Sequence, residues 1–169
     1  MMSTKNHNQL SIIGSTEFVD VSKIKNIPAK IDTGADTSSI WASDIDMEKD
    51  GTLVFSLFHQ KSPFYTGERL KTKKYTAKSV RSSHGDKQIR YRVELPLSLG
   101  GKNFTTTFTL SNRSRNHFPI LIGRRTLEGV FLVDVAKFSV ARPKASSSSK
   151  LSEELKADPY KFHQKYISN

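Results

Sequence analysis

The 169 residues are 36% hydrophobic, enough for one buried core and too apolar for a wholly disordered chain. No stretch approaches the roughly 18 apolar residues of a membrane-spanning helix. The absence of cysteine excludes disulfides, zinc-thiolate centres and thiol nucleophiles. The formal net charge is +11, and between Lys61 and Arg92 ten Lys or Arg face only Glu68 and Asp86, a local net of +8. Such a field draws polyanions, whether nucleic acid, acidic peptide or anionic membrane, and charge alone does not choose among them.

Residues 1–9 are polar, lack the apolar segment of a secretory signal, and read as a flexible N-terminus of a cytoplasmic protein. Strands are then expected at Leu10–Ile13, Phe18–Val21, Pro28–Ile31, Leu53–Phe58, Lys74–Val80, Ile89–Leu97, Phe104–Leu110, Ile120–Ile122 and Val130–Val135. Gly100-Gly101 between two alternating runs reads as a hairpin turn, and Ser82–Asp86 as a second hairpin tip. One short helix is expected at Arg124–Glu128. This pattern predicts an all-β barrel or sandwich over residues 10–141. From 142 to 169 the composition changes to a mobile Pro/Ser-rich linker and a tail. In that tail, Ser152-Glu153-Glu154 starts one helix and Asp158-Pro159 caps another, leaving Tyr160, Phe162, Tyr166 and Ile167 to dock or to fray.

Asp32-Thr33-Gly34-Ala35 closes the apolar run Ile27–Ile31 and occurs once. An Asp-Thr-Gly triplet in that position is how aspartic proteases present a carboxylate. The chemistry needs two carboxyls sharing one proton, because like charges about 3 Å apart cannot both ionise. A chain with one copy must take the second from a partner, so the motif predicts a homodimer. Gly34 allows close backbone approach, and the Thr33 hydroxyl is a donor for fixing the loop.

Downstream, Phe118-Pro119-Ile120-Leu121-Ile122-Gly123-Arg124 supplies an apolar strand, a glycine and an arginine. The two stretches together resemble the retropepsin-like aspartic proteases. Ala29-Lys30-Ile31-Asp32-Thr33-Gly34-Ala35, Val80-Arg81-Ser82-Ser83, Leu110-x-Asn112-Arg113-Ser114 and Leu121-Ile122-Gly123-Arg124-Arg125 resemble one bacterial group within them. That group is labelled ATP-dependent zinc proteases and is associated with ATP-grasp glutamate ligases. The resemblance covers about residues 10–140, and departs at Trp41, where relatives carry His, and at His117, where Met is expected.

The resemblance implies a closed retropepsin-like β-barrel. Asp32, with Thr33 and Gly34, would form half of a catalytic dyad completed by a second copy. Residues 80–90 would form a flap that closes over substrate. Ala35, Arg81, Lys87, Arg90 and Arg92 are the expected substrate contacts, and an Asp36–Arg124 ion pair is the expected structural support. The ligase association and the basic flap suggest an acidic substrate, such as oligo-glutamate tails added to a small-subunit ribosomal protein.

Neither word of the group's label fits these residues. His7, His59, His84, His117 and His163 are scattered without ligand spacing, so no metal is expected. Gly100-Gly101-Lys102-Asn103 lacks phosphate-loop spacing, so no nucleotide cofactor is expected either. Ser82, Ser83, His84 and Asp86 sit too close on one loop to align as a triad. Asp134 reads as a solvent-facing strand residue. An alternative function remains open: a catalytically inactive module that holds RNA or a ribosomal surface through its basic face, without any recognised RNA-binding motif.

Overall fold

Alternation of apolar and polar side chains builds most of the chain into strands, because successive residues of a strand point to opposite faces. The computed structural model describes residues 10–81, 87–141 and 148–167. The N-terminal nine residues, the expected hairpin tip at 82–86 and linker residues 142–147 lie outside the described residues. The strands are β1 (Ser11–Gly14), β2 (Thr16–Val21), β3 (Ile24–Asp32), β4 (Ser38–Met47), β5 (Leu53–Leu57) and β6 (Leu70–Thr72). They continue with β7 (Tyr75–Arg81), β8 (Lys87–Leu99), β9 (Lys102–Ser111), β10 (Ile120–Gly123) and β11 (Phe131–Asp134). Helix α1 (Arg124–Leu127) follows β10, and α2 (Ser148–Ala157) and α3 (Pro159–Tyr166) form the tail.

Six strands close a ring in the order β10-β3-β2-β8-β9-β4, with β4 pairing back onto β10. This is the expected all-β barrel, and closure removes the free edges that an open sheet would expose. β5 and β6 extend the sheet from β4, β7 pairs with β8, and β1 pairs in parallel with β11 as a separate ribbon. The interior is filled by Ile27 and Ala29 of β3, Phe55 of β5, Leu97 and Leu99 of β8, and Phe108 of β9, all nearly inaccessible. β8 shows the rule most plainly, with Val93, Leu95, Leu97 and Leu99 buried at every second position. Gly100 and Gly101 join β8 to β9 with φ of +56° and +76°, the left-handed pair that a tight two-residue hairpin demands.

Two strands depart from expectation. β4, absent from the sequence reading, has ten residues and pairs with β9, β10 and β5. Its inward positions include Ser38 and Ala42, which bury well but carry no hydropathic signal. β6 is a three-residue edge strand, too short for periodicity to register.

The tail helices differ in detail. α2 begins at Ser148, four residues before the expected start, whereas α3 is capped as expected by Asp158 Oδ1, which accepts from Lys161 N at 2.9 Å. Tyr160, Tyr166 and Ile167 remain exposed rather than docked. Glu154 Oε2 instead joins the two helices by accepting from Lys165 Nζ and Tyr166 Oη.

Candidate active site

β3 delivers Asp32 to one end of the barrel. Ile27, Ala29 and Ile31 point into the core, so Lys30 and Asp32 must share the outer face of the same strand. Beyond Asp32 the chain turns on itself. Asp32 Oδ1 accepts hydrogen bonds from Gly34 N at 3.1 Å and Ala35 N at 3.2 Å, which fix the orientation of the carboxylate. A carboxylate held by two backbone amides is positioned before any substrate arrives. The Asp32 side is half-buried, while Thr33 and Gly34 are exposed, and the Thr33 hydroxyl has no partner among the described residues.

The loop is clasped from behind by the second motif. β10 runs parallel to β3 with Gly123 beside Asp32. Arg124 N donates to Ala35 O at 2.7 Å and Arg125 N to Asp36 O at 3.2 Å, so the start of α1 holds the loop through its carbonyls. Ala35 therefore has both backbone polar groups engaged, one by Asp32 and one by Arg124. Gly123 N donates to Ser38 Oγ, and Ser38 and Thr106 both hydrogen-bond Thr126 Oγ1 beneath the loop. A side chain at Gly123 has no room, because its Cβ would stand 2.5 Å from the Thr37 carbonyl carbon.

Asp36 gathers three cations. Arg124 Nη2 lies 3.3 Å and Arg125 Nε 3.1 Å from Oδ1, and Lys78 Nζ lies 3.4 Å from Oδ2. Desolvation works against ionisation of this carboxyl. The hydrogen bonds from Arg125, Arg124 and Lys78 more than offset it and hold the carboxyl below its ordinary range. The Arg124 contact was anticipated from the sequence. Those of Arg125 and Lys78 were not, because they depend on how α1 and β7 approach the loop.

The expected substrate contacts do not all converge. The β7–β8 register pairs Lys78 with Arg90 and Thr76 with Arg92, which places these four on one face of the hairpin. Lys87 falls on the opposite face with Ile89 and Tyr91, a consequence of the two-residue period. The Arg81 side chain lies outside the description. Arg92 Nε donates to Thr76 Oγ1 at 3.1 Å, while Arg90 lines a cavity of about 620 Å³ with Asn112, Ser114 and Arg115.

Arg113 is the residue that the sequence reading passed over. It lies in the loop between β9 and β10, half-buried, and its Nε donates to Phe118 O at 3.0 Å. Desolvation and the neighbouring Arg90 lower its pKa, and the negative charge of Asp32 partly restores it, so Arg113 stands within the fields of both. Its place within the Leu110-x-Asn112-Arg113-Ser114 motif was the available signal. Arg113 lines a second cavity, of about 600 Å³, together with Lys30, His117, Phe118 and Leu121. Of the two departures, His117 lies in this cavity, edge-on to Phe118. Trp41 stacks on His59 and lines neither cavity. Asp134 is a turn cap, accepting from Ala136 N at 3.0 Å. Among the described residues no three His, Asp or Glu side chains converge into a metal cluster, and no helix is long and apolar enough to cross a membrane.

Comparison with known proteins agrees with this architecture. An "alpha-L-glutamate ligase" of Desulfotalea psychrophila, so named with the qualifier "Probable", is 31% identical over 130 residues, covering 74% of this chain and 28% of that one. A protein of the same name from Shewanella pealeana is 30% identical over 128 residues, covering 73% of this chain and 28% of that one. The chain thus spans little more than a quarter of the length of these relatives. The crystal structure of a protein of unknown function from Legionella pneumophila superposes with a TM-score of 0.58 at 28% identity, over 76% of this chain and 95% of that one. A family model described as RimB-like, retropepsin-like aspartic endopeptidase RimB, matches residues 12–144. The chain belongs to this RimB-like family of retropepsin-like aspartic endopeptidases.

Proposed function

We propose that the chain is an aspartic peptidase that works as a homodimer on acidic, oligo-glutamate-like peptides. The observation that carries the reading is the Asp32 carboxylate, held by Gly34 N and Ala35 N at the outer end of β3, with Thr33 and Gly34 exposed beside it. Two such loops meeting across an axis would bring two carboxyls together, and one proton would be retained between them. The ionised carboxylate then takes a proton from a bound water, the water oxygen attacks the scissile carbonyl, and the protonated carboxyl supplies the proton to the carbonyl oxygen. The Thr33 hydroxyl, without a partner among the described residues, is available to donate across the axis.

The acidic preference is supported by the charges around this end of the barrel: Lys30, Arg90, Arg113 and Arg115 line the two cavities, and among the described residues no Asp or Glu does. The ligase relatives support it differently, since a glutamate-adding enzyme makes the tail that such a peptidase removes. A functional link to a glutamate ligase is part of the proposal. The test is cleavage of a peptide ending in a run of glutamates, with Asp32→Asn as control. Loss of cleavage by at least about 10³-fold in the variant is expected. Tight RNA binding by a protein without Asp32-dependent cleavage would instead favour the binding-module reading.

A further inference from the structure

Strand geometry places Lys30 two residues before Asp32 on the same outer face of β3, about 6.6 Å along the strand. The cavity of about 600 Å³ opens beside it. Its floor is apolar: Leu121 stands opposite Lys30 in the β3–β10 register, and Phe118 is almost wholly buried. Its charged groups are Lys30 and Arg113, the latter from the loop between β9 and β10, and Ser15, Thr16, Asn116 and His117 add further polar lining.

Lys30 and Arg113 form no ion pair among the described residues, although carboxylates elsewhere on the surface collect Lys and Arg partners readily. Arg113 is also anchored, since its Nε donates to the Phe118 carbonyl at 3.0 Å. A half-buried guanidinium with no carboxylate in direct contact, only the more distant field of Asp32, is a costly arrangement that an anionic ligand relieves. An apolar floor with two cations at one end suits a side chain made of methylenes ending in a carboxylate.

We infer that this cavity is a side-chain subsite adjacent to Asp32, in which Lys30 and Arg113 select a glutamate residue of the substrate. The inference rests on the peptidase reading and goes beyond it: it assigns acidic selectivity to two residues outside the β7–β8 hairpin. Arg90 and Arg115 line the separate cavity across the 112–115 loop, so the substrate's next carboxylate has a different set of partners.

Peptides that differ only in Glu or Gln beside the scissile bond provide the test. Wild type is expected to favour Glu in kcat/KM by about 100-fold, and Lys30→Gln or Arg113→Gln to reduce the preference about tenfold each, the factor for one charge-assisted hydrogen bond. Lys30 is exposed, so the charge reversal Lys30→Glu folds and is expected to shift preference from Glu towards Gln. Equal use of both peptides by wild type, or an unchanged preference in these variants, would overturn the subsite while leaving the peptidase reading intact. If wild type cleaves neither peptide, the peptidase reading fails. The subsite is then judged by binding of fluorescein-labelled tetra-glutamate and tetra-glutamine to Asp32→Asn protein. At least tenfold tighter binding of tetra-glutamate that Lys30→Gln abolishes supports it, and equal binding overturns it.

Discussion

Asp36 Oδ2 lies 3.4 Å from Lys78 Nζ, and this contact ties β7 of the basic hairpin to the loop that carries Asp32. The same carboxylate receives Arg124 and Arg125 from the start of α1. One acidic side chain thereby links three elements that approach the site from different parts of the sequence.

The linkage has a pH signature. The folded-state pKa of Asp36 lies below the ordinary carboxylate value of about 4, so its stabilising contribution is complete above that value and is lost as pH falls through the depressed folded value. Thermal midpoints measured from neutral pH into acid should fall for wild type, and less steeply below about pH 4 for Asp36→Asn. Parallel curves would show that Asp36 contributes nothing to the acid dependence.

Gly123 tests the clasp behind the loop. An added Cβ would meet Thr37 C and O at 2.5 and 2.6 Å, and these are backbone atoms that no rotamer change can move aside. Gly123→Ala is expected to cost about 3 kcal/mol in denaturant unfolding, at the upper end for overpacking. A cost below about 0.5 kcal/mol would mean that the loop shifts without penalty.

Dimer dependence is readable by mixing. If each site takes one Asp32 from each copy, equal amounts of wild type and Asp32→Asn, allowed to exchange, leave only about one quarter of dimers with two intact carboxyls. Activity per total dimer should fall to that fraction, whereas a self-sufficient chain would retain about one half. Dilution below the dimer dissociation constant should also lower specific activity.

The stable unit is expected to end near Ala141. Ser139 N donates to Thr16 O, Val140 N to Thr16 Oγ1, and Lys137 O accepts from Ser15 N, so residues up to 140 are bonded to the β2 edge. Helices α2 and α3 bury no side chain that is described. Removing residues 142–169 should leave the melting temperature within about 2 °C, whereas ending the chain at Ala136 should lower it by about 10 °C through the loss of three or more hydrogen bonds.

Much of this was legible in the order of residues. Alternation in β8 and β9, the Gly100-Gly101 turn and the Asp158 cap are local, and local chemistry is written in neighbouring residues. So is the Asp32 motif, because the hydrogen bonds to its carboxylate come from the next three residues. β4 escaped notice because Ser38 and Ala42 are buried without being strongly hydrophobic. In the sequence the hairpin cations form one run, whereas register divides Arg90 and Arg92 from Lys87.

The sequence alone determined the all-β class, the single Asp-Thr-Gly motif and the excess of positive charge. Tertiary structure decided which charges meet. Arg113 is 81 residues from Asp32 in the chain, yet the return of β10 alongside β3 brings its loop into the carboxylate's field. Coulomb interaction depends on distance through space and on solvent exclusion, and neither quantity exists until the ring of strands has closed.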